Sequence, residues 1–232
     1  MEEMTVVMTN YNKGPFIKDA VDCLLRQDVS SWHAIIMDDG SNDESRQFLE
    51  TYAPLKDPRF SVRVNQQRQG KAWCMNRLIQ SATTDIIGEL DSDDVLAEHC
   101  VKEVLKAYDA STSGFVYTNF TYCDERLNKK RSGWGREIPK GRTAMDDTYV
   151  SPFRTFRKSA FLKTSGLDEK LASAVDKDLI YKLEEVTTFH FVDLELYYYR
   201  ELIPSLSRGT ENEAKALENC ALAKTLALAR RG

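Results

Sequence analysis

The sequence predicts an α/β fold: a mostly parallel central sheet flanked by helices, with a smaller subregion in its second half. Three observations carry this. Short apolar runs rich in β-branched residues, at 5–8, 34–37 and 86–90, read as buried strands. Helix-period segments separate them over the first ninety-odd residues, and strict strand–helix alternation argues a parallel sheet with helices on its faces. Each run also ends in a polar loop, the last in Asp91-Ser92-Asp93-Asp94. In a parallel sheet all these loops share one edge, where ligands bind.

The elements follow in order. Thr5 to Met8 is the first strand, and Asn10-Tyr11-Asn12-Lys13-Gly14-Pro15 has turn chemistry. Ile17, Ala20, Val21, Leu24 and Leu25 make one face of a helix over 16–26. The strand at 34–37 ends in Asp38-Asp39-Gly40-Ser41, and Ser41 with Glu44 has capping-box spacing for a helix to about residue 52. A third strand spans 60–64. Gln69-Gly70-Lys71 leads into a helix carrying Trp73, Met75, Leu78 and Ile79. The central strand follows, then a helix over 97–108 and a strand over 115–122. Residues 124–147 are polar, basic and irregular, and Trp134 stands between Gly133 and Gly135. A solvated loop and an aromatic that closes over a ligand are both open readings there. A strand over 151–156, a helix over 157–164, a helix opened by Asp176 and Asp178, a strand over 189–199 and a terminal helix over 212–230 complete the chain. That last helix packs on the domain by default; pairing with another chain, or lying on a membrane through Arg230 and Arg231, are the alternatives.

Composition narrows the function. The 232 residues allow one large domain or two small ones. A net charge of -4 argues against an electrostatic nucleic-acid binder. No apolar stretch is long enough to span a bilayer and nothing resembles a signal peptide, so a cytoplasmic location is expected. The five cysteines are scattered and odd in number, which predicts buried free thiols. Glycine-rich phosphate loops are absent, so a nucleotide would be held by side chains and a metal. Three carboxylates crowded at one strand end repel one another unless a cation neutralises them. Asp94 alone could cap the following helix. The set together favours a metal site.

The ordered motifs resemble family 2 glycosyltransferases of the GT-A fold, a Rossmann-like sheet with a smaller acceptor-side subregion. Val7 to Asn12 resembles the opening strand and nucleotide loop, Asp38-Asp39-Gly40-Ser41 the second-strand signature, and residues 65–76 the diphosphate-side segment. Leu90-Asp91-Ser92-Asp93-Asp94 resembles the metal motif. Gly166-Leu167-Asp168-Glu169 is similar to the segment before the catalytic base, and Tyr197 to Arg200 to the late strand. The resemblance covers roughly residues 5–200.

It implies an inverting, metal-dependent transfer of a sugar from a nucleotide-sugar donor, with UDP the commonest nucleotide and dTDP or GDP as alternatives, to a saccharide or glycoconjugate acceptor, as in polysaccharide biosynthesis. Tyr11 would flank the base and Asp39 accept a hydrogen bond from it, with Thr9 beside them. Lys71 or Arg68 would approach the diphosphate. Asp91 would hold the ribose, Ser92 would stand beside it, and Asp93 would bind Mn²⁺ or Mg²⁺. Asp176 would be the general base. The implied organisation is one domain over 1–232: a nucleotide half at 1–94, an acceptor half at 95–205 and a terminal helix at 206–232. Two departures stand out: Val175 precedes the base where the family places Glu, and Glu201-Leu202 stand where many members carry a metal-ligating His. A nucleotidyltransferase and a non-catalytic nucleotide-sugar-binding subunit are the competing readings.

Overall fold

A computed structural model describes residues 3–202 and 210–232. The chain runs β1 (Met4–Asn10), α1 (Gly14–Leu25), β2 (Trp32–Asp38), α2 (Ser45–Thr51), β3 (Phe60–Val64), α3 (Lys71–Ser81), β4 (Ile86–Glu89), β5 (Val95–Leu96) and α4 (Cys100–Ala110). It continues through β6 (Phe115–Cys123), β7 (Lys129–Ser132), β8 (Arg154–Arg157), α5 (Lys158–Phe161), α6 (Val175–Glu184), β9 (Phe189–Arg200) and α7 (Thr210–Arg231). Among the described residues the strands form one sheet in the order β3-β2-β1-β4-β8-β6-β9-β5, with β7 paired to β6. β3, β2, β1 and β4 are mutually parallel, β8 runs against β4 and β6, and β9 is parallel to β6. The predicted α/β class with a mostly parallel, helix-flanked sheet is what the chain adopts. The boundary expected at 205/206 lies outside the described residues.

The apolar runs are continuous because both faces of the sheet are covered. Met4, Val6 and Met8 of β1 pack with Ile17, Val21 and Leu24 of α1 on one side. Val7 points the other way, into a cluster with Cys74 and Leu78 of α3 and Leu179 of α6. The terminal helix docks on this second side through Ala223 and Ala227, both fully buried, while Arg230 and Arg231 pair with Glu185 and Glu184. All five cysteines are free, four of them buried. Among the described residues no helix is long and apolar enough to cross a membrane.

Four local expectations change. Ser41 does not cap a helix: its hydroxyl donates to Asp38 Oδ2 (2.6 Å), and α2 begins four residues later. Asp43 takes over the end, accepting from the Ser45 amide at 3.0 Å and the Gly14 amide at 2.8 Å. Asp94 does not cap the next helix either. It is buried, accepting from the Tyr197 hydroxyl and the Arg200 amide, both at 2.7 Å. That grip pulls Val95–Leu96 into the sheet beside β9, so α4 starts only at Cys100. The basic stretch after residue 124 is partly regular, since β7 forms a hairpin with β6. The strand expected over 151–156 forms only from Arg154, in register with Glu89.

Gly88 shows how tight the centre is. It lies between Val6 and Thr155 in the sheet, and a Cβ there would fall 2.3 Å from Cζ of Phe153. Gly88→Val is expected to lower unfolding free energy by about 1–3 kcal/mol, read as a reduced urea midpoint at unchanged slope.

Candidate functional site

The parallel register puts the C-terminal ends of the first four strands on one edge. Asn10 is level with Asp38, Asp38 with Val64, and Glu89 with Val7. Their loops open into a cleft of 720 Å³. Thr9, Tyr11, Asp39, Arg68, Lys71, Asp91, Ser92, Asp93 and Asp176 all line it. The structure thus brings together every residue singled out in the sequence, although Asp176 lies 85 positions beyond Asp91.

The loops brace one another. Asn10 Nδ2 donates to Asp38 Oδ2 at 2.7 Å, which fixes the first loop to the second. Gly40 has a φ of +75°, and a Cβ there would meet the backbone of 67–68 at 3.0 Å, so a side chain is excluded twice over. Asp39 accepts from the amides of Gln69 and Gly70 (both 2.8 Å) and from Asn65 Nδ2 (2.9 Å). It is buried, and both its oxygens shape the loop that leads into α3. At the mouth, the Arg68 guanidinium stacks on Tyr11, 4.2 Å from the ring centroid.

The acidic strand end is resolved by three different partners. Asp91 meets Lys71 Nζ at 2.6 Å. Asp93 forms an ion pair with Lys13. Asp94 is sealed beneath Tyr197, whose hydroxyl also accepts from the Asp91 amide at 3.3 Å. Burial raises the Asp91 pKa, but the adjacent Lys71 outweighs it and holds the carboxyl below its usual range. Asp94 moves the other way: burial, reinforced by Asp93 and Asp91, pushes it well above that range.

Asp176 arrives from the other half of the chain. Asn76 of α3 clamps the segment before it, accepting from the Leu167 amide (2.9 Å) and donating to the Leu167 carbonyl (3.0 Å). Lys182 Nζ reaches the Gly166 carbonyl at 2.7 Å and buried Asp178 at 2.6 Å. Asp178 is therefore structural, through an ion pair as well as its place near the helix N-terminus. Asp176, in the first turn of α6, stays partly open to the cleft and accepts from Arg154 Nη1 at 3.0 Å. Burial raises its pKa, yet the charges of Arg154 and Lys71 prevail and keep it below the usual carboxylate range.

Sequence reading missed Arg154, Glu89, Lys13 and, of an aromatic wall, all but Trp134. Glu89 lies inside an apolar run and Arg154 begins a strand; a charge within a buried strand was the available signal. The wall holds Phe120, Tyr122, Trp134 and Tyr199. Trp134 is docked there, edge-on to Phe120 with ring centroids 5.5 Å apart, its Nε1 donating to the Tyr122 hydroxyl at 3.1 Å. Glu201, in the region of the expected histidine, pairs with Arg131 at 2.8 Å.

Among the described residues no three ligating side chains converge into a ready-made metal cage. The donor set nonetheless fits a hard divalent cation. Asp93 presents a carboxylate to the cleft, and Mg²⁺-type sites are commonly built from one or two carboxylates completed by substrate phosphates.

Comparison with known proteins adds the following. A family profile described as Glycosyl transferase family 2 matches residues 5–166. The chain is 29% identical to the chondroitin synthase of Escherichia coli over 196 residues, 84% of this chain and 28% of that protein. It is 33% identical to the chondroitin synthase of Pasteurella multocida over 205 residues, 84% of this chain and 20% of that protein. It thus spans under a third of either synthase. Among solved structures, S. aureus TarS 1–349 in complex with UDP-GlcNAc superposes with a TM-score of 0.74 at 17% identity, covering 95% of this chain and 65% of that one. The mannosyltransferase PcManGT from Pyrobaculum calidifontis, in complex with GDP-Man and Mn²⁺, gives 0.66 at 18% identity, covering 99% and 74%. At such identities these two share the fold.

Asp39→Ala would leave the amides of Gln69 and Gly70 without their acceptor. A loss of about 1–3 kcal/mol in unfolding free energy is expected, together with faster amide hydrogen exchange confined to residues 65–71.

Proposed function

The chain belongs to glycosyl transferase family 2, and from that premise we propose that it is an inverting, metal-dependent transferase that moves a sugar from a nucleotide-diphosphate donor to a hydroxyl of a saccharide or glycoconjugate. One observation carries this reading: a single cleft holds the loops of the parallel strand ends and, across from them, the carboxylate of Asp176, held by Arg154 at 3.0 Å. A pure binding site needs no such base.

Tyr11 and Arg68 form a stacked pair suited to the flat face of a nucleobase. Asp39 holds the loop that borders it, and Thr9 lines the same end. Asp91 faces the ribose beside Ser92, with Lys71 or Arg68 toward the diphosphate. A UDP-sugar is the proposed donor; TarS was crystallised with UDP-GlcNAc and PcManGT with GDP-Man. Asp93 would hold Mn²⁺ or Mg²⁺, with Lys13 released from its ion pair. The cation would neutralise the charge that grows on the leaving diphosphate.

Asp176 would accept the proton of the acceptor hydroxyl. That oxygen forms its bond to the anomeric carbon as the bond to the diphosphate oxygen breaks on the opposite face. The electron pair leaves with the diphosphate, and the anomeric configuration inverts. The aromatic wall offers flat apolar faces on which a sugar ring can lie. We read residues 1–94 as the donor half and 95–205 as the acceptor half of one domain.

Calorimetric titration with UDP, UDP-GlcNAc and GDP-Man, each with and without Mn²⁺, tests the donor site. Asp93→Ala is expected to abolish the metal-dependent part of the affinity; a variant that keeps it removes Asp93 from the metal site. Asp176→Asn should bind donor as the wild type does while losing about 10²–10⁴-fold in transfer. Wild-type transfer rates in that variant would defeat the base assignment.

A further inference from the structure

Asp91, Lys71, Glu89, Arg154 and Asp176 form an unbroken line of alternating charges that runs along the cleft, with Glu89 buried beneath it. Successive contacts are 2.6 Å, 3.1 Å, 3.4 Å and 3.0 Å. The ends are open and the centre is closed: the Asp91 and Asp176 side chains are 31% and 35% exposed, Glu89 only 6% and Arg154 13%. Glu89 and Arg154 sit directly opposite each other on β4 and β8. A buried ion pair gains little over apolar packing of the same volume, although removing one partner alone is costly.

We infer that Arg154 is the positioning residue for the base: it lies beside Glu89 on the neighbouring strand, in an ion pair of 3.4 Å through an Nε that makes no hydrogen bond, and its Nη1 donates to the Asp176 carboxylate at 3.0 Å and aims it into the cleft. This rests on the reading of Asp176 as base. Glu89 is shared: it also holds Lys71, so one buried carboxylate sets the direction of a cation toward the donor side and of another toward the base. Arg154 reaches both carboxylates at once, Asp176 by a hydrogen bond from Nη1 and Glu89 by charge through Nε.

The other charged or titratable groups that face Asp176 do not substitute for Arg154. Lys71 reaches it from α3 but is spent on Asp91 and Glu89. Lys177 and Tyr181 lie on its own helix, and Cys220 faces it from α7. Of these, Arg154 alone makes a direct side-chain hydrogen bond to it among the described residues. The sign of each change follows. Removing Arg154's charge must raise the Asp176 pKa. Removing Glu89's charge leaves two cations less compensated and must lower it.

The test uses whole protein labelled with ¹³C at aspartate carboxyls. The Asp176 signal is assigned by its absence in Asp176→Asn. Arg154→Gln is expected to raise its titration midpoint by about one pH unit, Glu89→Gln to lower it, and Arg154→Lys to leave it close to wild type. The acid limb of Mn²⁺-dependent UDP release from UDP-GlcNAc, with water as acceptor, should move by the same amounts. At one unit, Arg154→Gln loses about tenfold in kcat/KM below the limb and recovers above it. A uniform loss at every pH would make Arg154 merely structural and overturn the inference. If Arg154→Gln does not fold, Glu89→Gln decides: an unmoved or raised midpoint overturns it. Asp176→Asn that still releases UDP at the wild-type rate, or wild-type protein that releases none, defeats the base reading itself and the positioning role with it. The titration shifts of the carboxyl still separate that failure from a missing Arg154–Asp176 interaction.

Discussion

Glu89 is the residue on which the site depends. It is a carboxylate buried in the central strand, and an unpaired charge there would cost several kcal/mol. Two cations neutralise it, Lys71 from the helix that follows β3 and Arg154 from the strand beside it. Each cation then has charge left over and turns it outward, Lys71 to Asp91 and Arg154 to Asp176. One buried negative charge thereby orders two carboxylates that approach the cleft from different halves of the chain.

The sheet makes this economical. Parallel strands deliver four loops to one edge, and the reversed strand β8 starts at that edge, so Arg154 enters where β4 ends. A wholly parallel arrangement would begin a neighbouring strand at the far edge of the sheet. Tyr197 on β9 then closes the arrangement from below. Its hydroxyl accepts from the Asp91 amide and donates to Asp94, so the acidic turn is held by its backbone and by one of its own side chains. The crowding of carboxylates at 91–94 is therefore tolerated because Asp91 and Asp93 each sit beside a lysine, while Asp94 is held by Tyr197 and the Arg200 amide.

Members of family 2 usually carry Glu before the base, where this chain has Val175, a buried residue of the core packed on that side of the sheet. Here the Arg154 guanidinium lies against the Asp176 carboxylate, so under the proposed role of Asp176 the contact that aims it would come from β8, beside the Glu89 of β4 that also meets Lys71.

By itself the sequence determined the parallel half of the fold, because alternating apolar runs and helix-period segments have few other ways to bury their faces. It also determined which strand ends are polar, and so which loops make the cleft. Motif order was enough to single out Asp93 and Asp176 as candidates. Only the tertiary structure decided how the charges pair. Ser41 and Asp94 have the local chemistry of helix caps, yet Asp38, Tyr197 and the Arg200 amide claim them, since a contact across the sheet can offer a better-placed partner than the next turn of helix. Glu89 looked like part of an apolar run and Arg154 like an interior residue of an ordinary strand over 151–156. Their placement arises from register: 64 residues of intervening chain return β8 against β4 with the two residues opposed, and local sequence carries no record of that pairing.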